Sequence, residues 1–195
     1  LSLHDALPIL LRDERPQDRL AIARIHQAAF RNHPAHPPGA APVEHRIAAR
    51  LRAAGALTLS LLAETDGLAT GHLALSPARV GTEAEGWFLL GPLGVLPAFQ
   101  GRGIGSALVA EALRRMGLAK AAGVVLVGDP AFYARRGFAA VAGLTWPGVP
   151  DRHVLAACLD GRAPAGDIVA HEAFALAFEN STERGLRQGA APQEG

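Results

Sequence analysis

Cysteine is almost missing from this chain. Cys158 is the only one, which excludes an internal disulfide framework and any paired-cysteine metal or redox site. It also fits a reducing, cytoplasmic compartment. Lysine is equally scarce: Lys120 is the only one among 19 basic residues, so the positive charge is almost wholly arginine. The formal net charge of +1 gives no general attraction for nucleic acid or a membrane surface. No apolar run approaches the roughly 20 residues needed to span a bilayer. Internal repeats are absent, and there is one tyrosine, Tyr133. What the chain does have is apolar mass. Hydrophobic residues make up 49% of 195 positions, enough for one domain with a sizeable core.

The two ends stand apart from that domain. Leu1 to Leu11 is apolar but lacks a basic leader and a small-residue cleavage site, so it is a poor signal peptide. Asp5-Ala6-Leu7-Pro8-Ile9 reads like a translated sequencing-adapter fragment. Residues 1–9 are therefore expected to be non-native or an unstructured extension. From about Glu179 the chain is polar and rich in Gly and Gln, so residues 176–195 are expected to form a disordered tail. The domain is expected over residues 10–175.

Periodicity divides that domain into elements. Ile9 to Arg12 reads as a strand. Pro16 to Phe30 reads as a helix, with Leu20, Ile22, Ala23, Ile25, His26 and Ala29 on its apolar side. A Pro- and His-rich loop, His33 to Pro42, precedes a second helix over Val43 to Ala54. Leu57 to Ala63 and Leu68 to Leu75 read as strands, and Asp66-Gly67 between them is a strong hairpin signal. Pro77 to Gly86 reads as a connection and Trp87 to Leu96 as a buried strand. After a helix over Ser106 to Met116 comes the β-branched strand Val124 to Val127. Asp129-Pro130 supplies an N-cap and a first-turn proline for a short helix that Gly137 ends. Phe138 to Val141 and Val154 to Leu159 read as final strands. Hairpin-linked strands followed by strand-helix-strand units predict an α/β (α+β) fold, a mixed sheet with helices on both faces.

The richest segment lies between the buried strand and its helix: Gln100-Gly101-Arg102-Gly103-Ile104-Gly105. Strand, glycine-rich turn and helix together present backbone N–H groups to a phosphate. A P-loop would need a lysine after the glycines, and none follows. A dinucleotide turn would need a third glycine where Ser106 stands, and an acidic residue about twenty positions on, where Val125 stands. What remains is Gln/Arg-x-x-Gly-x-Gly/Ala, matched by Gln100, Gly103 and Gly105.

Two further segments accompany it in order. One is Leu90-Gly91-Pro92-Leu93-Gly94-Val95-Leu96-Pro97, ahead of the turn. The other is Gly128-Asp129-Pro130-Ala131-Phe132-Tyr133-Ala134-Arg135-Arg136-Gly137-Phe138, beyond the helix. Together they resemble the GNAT superfamily of N-acetyltransferases, in particular its YhbS-like bacterial branch, over about residues 10–175. The resemblance implies a mostly antiparallel central sheet and acetyl-CoA as co-substrate, with no metal. It also implies direct attack by a primary amine in a ternary complex. The acceptor would be a small molecule or a peptide, with no nucleic acid or membrane partner. Many relatives dimerise through C-terminal strands, so a homodimer is compatible with this reading.

Each chemical requirement then finds residues. Gly101, Arg102, Gly103, Ile104, Gly105 and Ser106 would hold the pyrophosphate, and Gln100 would brace the turn. By the resemblance, backbone N–H groups of Leu93, Gly94 and Val95 would polarise the thioester carbonyl. Independently, Pro92 inside a strand removes a ladder donor and predicts a bulge there, which frees such groups. Tyr133 matches the family's general acid, and a phenol pKa of about 10 lies above a thiol's, so it still holds a proton to give when the thiolate leaves. No carboxylate lies within Trp87 to Val95; Glu83, Glu85 and His72 are the nearest candidates for a base. A water chain or an amine of lowered pKa would serve as well.

Other residues read more plainly. His33 and His36 sit among prolines and read as loop rather than metal ligands. His153 and His171 read as structural, and Arg135 and Arg136 as a solvated face that could also reach a coenzyme phosphate. Cys158 alternates with apolar neighbours and is expected to be a core thiol. The rigid Trp146-Pro147-Gly148-Val149-Pro150 loop is either a turn or a wall of the acceptor site. Two alternatives to the enzyme remain: a non-catalytic acyl-CoA-binding regulatory domain, and a toxin-type acetyltransferase of aminoacyl-tRNA. The near-neutral charge opposes the second.

Overall fold

The computed structural model describes residues 8–34, 36–82 and 84–177. Residues 1–7 of the expected N-terminal extension, and 178–195 of the expected tail, lie outside the described residues. Ile9 packs against the main core, and packing at the other end runs to the buried Leu176 and to Ala177.

Among the described residues, nine strands and four α-helices follow one another. The first part is β1 (Leu10–Asp13), α1 (Arg19–Ala29), α2 (Glu44–Ala53), β2 (Leu59–Thr65), β3 (Leu68–Val80) and β4 (Ala84–Val95). The second is α3 (Ile104–Leu118), β5 (Gly123–Val127), α4 (Pro130–Tyr133), β6 (Ala139–Ala140), β7 (Leu144–Thr145), β8 (Val154–Cys158) and β9 (Gly166–Val169). The sheet order is β1-β2-β3-β4-β5-β8-β6. β4 and β5 run parallel, as do the short β7 and β9; every other pair is antiparallel.

The turn between β2 and β3 is the two-residue Asp66-Gly67, both with positive φ, as its sequence predicts. β3 is longer than expected. It continues through Pro77 to Val80, and the connection expected over 77–86 contracts accordingly. Pro77 is tolerated because β2 pairing ends at Leu75 and β9 pairing begins only at Arg79, so no ladder needs its missing N–H. β7 and β9 go unseen in the sequence, being two and four residues long.

Alternation along β2 and β3 sorts side chains to two faces. On one face Leu61, Ala63, Leu73 and Leu75 meet Ile104, Leu108, Val109 and Ala112 of α3. On the other, Leu62 meets Ile22 and Ile25 of α1 and Ala48 of α2. Each fully buried Leu or Ile contributes roughly 1.5–3 kcal/mol. Helices thus cover both faces, and the strand ends at residues 94–96 and 127–128 open onto the same edge.

Candidate active site

The central feature is a split in the sheet. β4 pairs with β5 only over Trp87 to Leu89, opposite Gly123 to Val125. Beyond Leu89 the two strands part, so Leu90 to Val95 keep β3 on one side and, among the described residues, have no strand on the other. Pro92 acts as expected. Leu73 and Leu75 of β3 face Leu93 and Leu90 of β4, so β4 carries one extra residue there, a bulge around Gly91 and Pro92. The Gly91–Pro92 peptide is cis. Backbone groups of Leu93 and Val95 therefore line the open edge of a strand, while Gly94, two residues before Leu96, whose amide donates to Thr70 of β3, turns its own toward β3.

The glycine-rich turn follows that edge. Gln100 donates from Nε2 to the carbonyl of Val95 at 3.1 Å, bracing the turn against the strand end. Gly101 and Gly103 have φ of 73° and 83°, a conformation that costs other residues roughly 1–2 kcal/mol. A Cβ at either would meet nothing within 4 Å, so it is the backbone angle and not crowding that asks for glycine. The carbonyl of Gly103 accepts the first helical bond, from Ala107 at 2.9 Å. The first-turn amides of Ile104, Gly105 and Ser106 precede that bond and point out along the axis. Fifteen residues of α3 aim their macrodipole at the same spot. Buried Ile104 pins the helix start, and the Arg102 guanidinium lies over the Phe99 ring, 5.1 Å from its centre.

The segment after β5 closes the other side. Asp129 caps α4 by accepting from the Ala131 amide at 3.0 Å, and Gly137 ends the turn with φ of 85°. Arg136 does more than face solvent. Its Nε and Nη2 donate to Ser106 Oγ, the first at 3.1 Å, and Nη1 donates to the Phe132 carbonyl. Its guanidinium lies 3.5 Å from the centre of the Phe132 ring. Ser106, held as an acceptor, keeps its own proton to donate. Arg135 is exposed. Gly105 permits the close packing here, since a Cβ on it would come within 3.3 Å of the Phe132 ring.

Tyr133 stands edge-on to Phe132 and Phe138, with ring centres 4.8 and 5.6 Å away. Its ring needs Gly128, where a Cβ would come within 2.5 Å of it. Burial pushes the phenol pKa up to about 12, so it is fully protonated near neutrality.

Of the expected base candidates, Glu83 lies outside the described residues. Glu85 is exposed near the start of β4, roughly 30 Å along the strand from Gly94 at ~3.4 Å per residue. His72 is different. It lies opposite Gly94 in the β3–β4 register and is 0% exposed. Its Nδ1 is 2.8 Å from Nε2 of His26, and its Nε2 is 2.8 Å from Ser60 Oγ. Ser60 donates to Glu14, whose carboxylate Arg52 grips at 2.5 and 3.0 Å. Burial holds both histidines below the usual range, His72 at about 3. The sequence placed His26 on the apolar side of α1 and gave it no role. The one available signal was a titratable residue inside that stripe.

The remaining candidates are dispersed. Cys158 is not a core thiol: it is the last residue of β8, where the strand ends and its side chain is exposed. His36 pairs with the buried Glu44 at 2.5 Å. His153 is 3.1 Å from the Gly128 carbonyl, and His171 accepts from the Ala173 amide. Trp146 packs on the cluster around Val80 and Leu144. Among the described residues, no three His, Cys, Asp or Glu side chains gather to hold a metal, and no helix is long and apolar enough to cross a membrane.

A split parallel pair, a bulged strand and a glycine-primed helix start define a class: an acyltransferase site built largely from backbone. The particular family follows from comparison. The family model of the acetyltransferase (GNAT) domain matches residues 58–140. The chain is 34% identical over 145 residues to the uncharacterized N-acetyltransferase YhbS of Escherichia coli K12, covering 72% of this chain and 81% of that one. Among solved structures, a GNAT family acetyltransferase from Brucella melitensis in complex with acetyl-CoA superposes with a TM-score of 0.73 at 41% identity, covering 86% of this chain and 98% of that chain. The structure of E. coli YhbS in complex with CoA gives 0.75 at 31% identity, covering 90% and 96%. The chain belongs to the GNAT acetyltransferase family.

Proposed function

We propose that this protein transfers the acetyl group of acetyl-CoA to a primary amine by direct attack within a ternary complex. The observation that carries this is the split between β4 and β5 running into the left-handed Gly101–Gly103 turn. Two similar proteins, 41% and 31% identical, were solved with acetyl-CoA and with CoA. In this reading the amides of Gly101 to Ser106 hold the pyrophosphate and Gln100 keeps the turn in place. Backbone N–H groups among Leu93, Gly94 and Val95 donate to the thioester oxygen as it gains charge. The neutral amine attacks the carbonyl carbon, the C–S bond breaks, and Tyr133 gives its proton to the thiolate. A phenol near 12 keeps its proton until the thiolate forms, and burial that raises a thiolate's own proton affinity narrows the gap between them.

Residues 10–175 form the catalytic unit in this reading. It works in the cytoplasm on a small or peptide amine, alone or as a homodimer, with no metal, nucleic acid or membrane. The test is release of free CoA from acetyl-CoA across a broad panel of primary amines. Steady, amine-dependent release with acetylated product supports the enzyme. Tight CoA binding with no turnover on any amine would identify a non-catalytic acyl-CoA-binding domain instead.

A further inference from the structure

The row Glu14–Ser60–His72–His26 has a direction, and a carboxylate sets it. Glu14, ion-paired to Arg52, offers only acceptor oxygens, so the Ser60 hydroxyl spends its one proton on Glu14. Ser60 Oγ can then only accept from His72, which makes His72 the Nε2–H tautomer with a bare Nδ1. That nitrogen in turn accepts from His26 Nε2–H. Each step forces the next, and His26 Nδ1 is left with a lone pair and no proton. This atom is buried and, among the described residues, has no hydrogen-bond partner, a situation that ordinarily costs ~1–3 kcal/mol. It packs against Gly94 of β4, where the lack of a side chain makes room for it: a Cβ there would come within 2.8 Å of it. Gly94 belongs to the segment on which, in the function proposed above, the thioester lies.

We infer that His26 Nδ1 is the general base for the attacking amine and that His72, Ser60 and Glu14 are the proton store behind it. The amine N–H bond breaks as Nδ1–H forms. The Nε2 proton of His26 moves to His72 Nδ1, the Nε2 proton of His72 to Ser60 Oγ, and the Ser60 proton to Glu14. No imidazolium has to persist in the core, because the charge ends as a neutralised carboxylate beside Arg52. When the product leaves, the protons step back along the row, and Nδ1 releases its proton to water entering the cleft. Charged or titratable groups around the two histidines are Asp18, which favours the proton, and His45 and Arg52, which oppose it. The inference rests on the acetyl-transfer reading.

Two measurements on the full chain test it. The first is nitrogen NMR of the imidazoles in the wild-type protein, which needs no acceptor. His26 is expected as the Nε2–H tautomer with Nδ1 bare; a proton on Nδ1 at rest overturns the inference. The second uses acetyl-CoA and whichever panel amine the wild type acetylates fastest. Ser60→Ala cuts the row behind His72 without touching the turn or β4. It is expected to lower kcat about 10²-fold near pH 7, with KM for acetyl-CoA within about twofold. That deficit shrinks as pH rises toward the amine's own pKa, where the amine sheds its proton unaided. Glu14→Gln, which cannot store a proton, repeats the pattern. A Ser60→Ala deficit that is absent, or equal at every pH, assigns the row a packing role only. A wild type that binds acetyl-CoA and acetylates nothing removes the acetyl-transfer reading itself, and the base role falls with it.

Discussion

On the α3 side of the sheet the polar groups at the cleft are mainly backbone; on the α1 side they are side chains. The turn at 100–105 has one side-chain brace, the Gln100–Val95 bond, and otherwise works through φ angles and amides. Such a site depends on a short contiguous stretch. The row from Glu14 to His26 draws on β2, β3, α1 and the segment before α1, up to 58 positions apart between Glu14 and His72. It depends on those elements packing in one register. The contrast teaches that the donor half of the site is local and backbone-built, while the half that would handle the proton is assembled only by the finished fold.

The largest blow to that contrast comes from Tyr133, where, in the proposed function, the donor half relies on a side chain. Tyr133→Phe is expected to lower kcat by about 10²–10⁴-fold, with acetyl-CoA affinity and melting temperature little changed. Stopped-flow or steady-state CoA release reads the first, calorimetry the others. An equal loss of affinity would recast Tyr133 as a packing residue.

Acid is the next probe, and it acts on the side-chain half. Burial first, then neighbouring positive charge, depresses the folded pKa of His26 and His72. Their contribution is therefore complete above about pH 6.5, the unfolded histidine value, and drains as pH falls from there toward the His72 value of about 3. Each buried histidine costs roughly 1.4 kcal/mol per pH unit in that window. Glu111, lowered to about 2 by its bonds to Arg114 and Arg115, begins to drain only below about 4.5. Loss between pH 6.5 and 4.5 thus belongs to histidine. Stability from denaturant melts is expected to fall over that range in the wild type and to fall less steeply in a His26→Leu/His72→Leu double variant, the remainder coming from His33 and His45, which burial also lowers.

Gly103→Ala returns to the backbone half. A Cβ at φ of 83° meets no neighbour, so its expected cost is the left-handed conformation alone, about 1–2 kcal/mol. Fluorescence or calorimetric titration with CoA would show whether the loss appears in affinity, as a turn that binds phosphate requires, or only in stability. The smallest effect is expected from Gln100→Ala, an exposed bond at 3.1 Å worth roughly 0.5–1.5 kcal/mol of CoA affinity.

These differences also explain what could be read from the chain before its structure. The turn, the Asp129 cap, the Asp66-Gly67 hairpin and the Pro92 bulge were legible because each rests on a backbone requirement met by neighbouring residues. Cys158 misled because alternation says which face a residue takes but not where a strand stops. β7 and β9 are too short to show a period. His26 stayed hidden for a deeper reason. Its meaning comes from His72 and Gly94, residues 46 and 68 positions away. Nothing local distinguishes a histidine that fills an apolar stripe from one that ends a proton row.

The parting of β4 from β5 after Leu89 has a thermodynamic consequence. Among the described residues it leaves an interior strand edge without a strand partner, and in the proposed function a bound co-substrate would lie along it as the missing strand. A ligand that completes the sheet in the folded chain, and not in the unfolded one, adds RT ln(1 + [L]/Kd) to stability, about 2.7 kcal/mol at a hundredfold excess over Kd. The lifetime of the folded protein, and its resistance to proteolysis, would then rise and fall with the supply of that ligand.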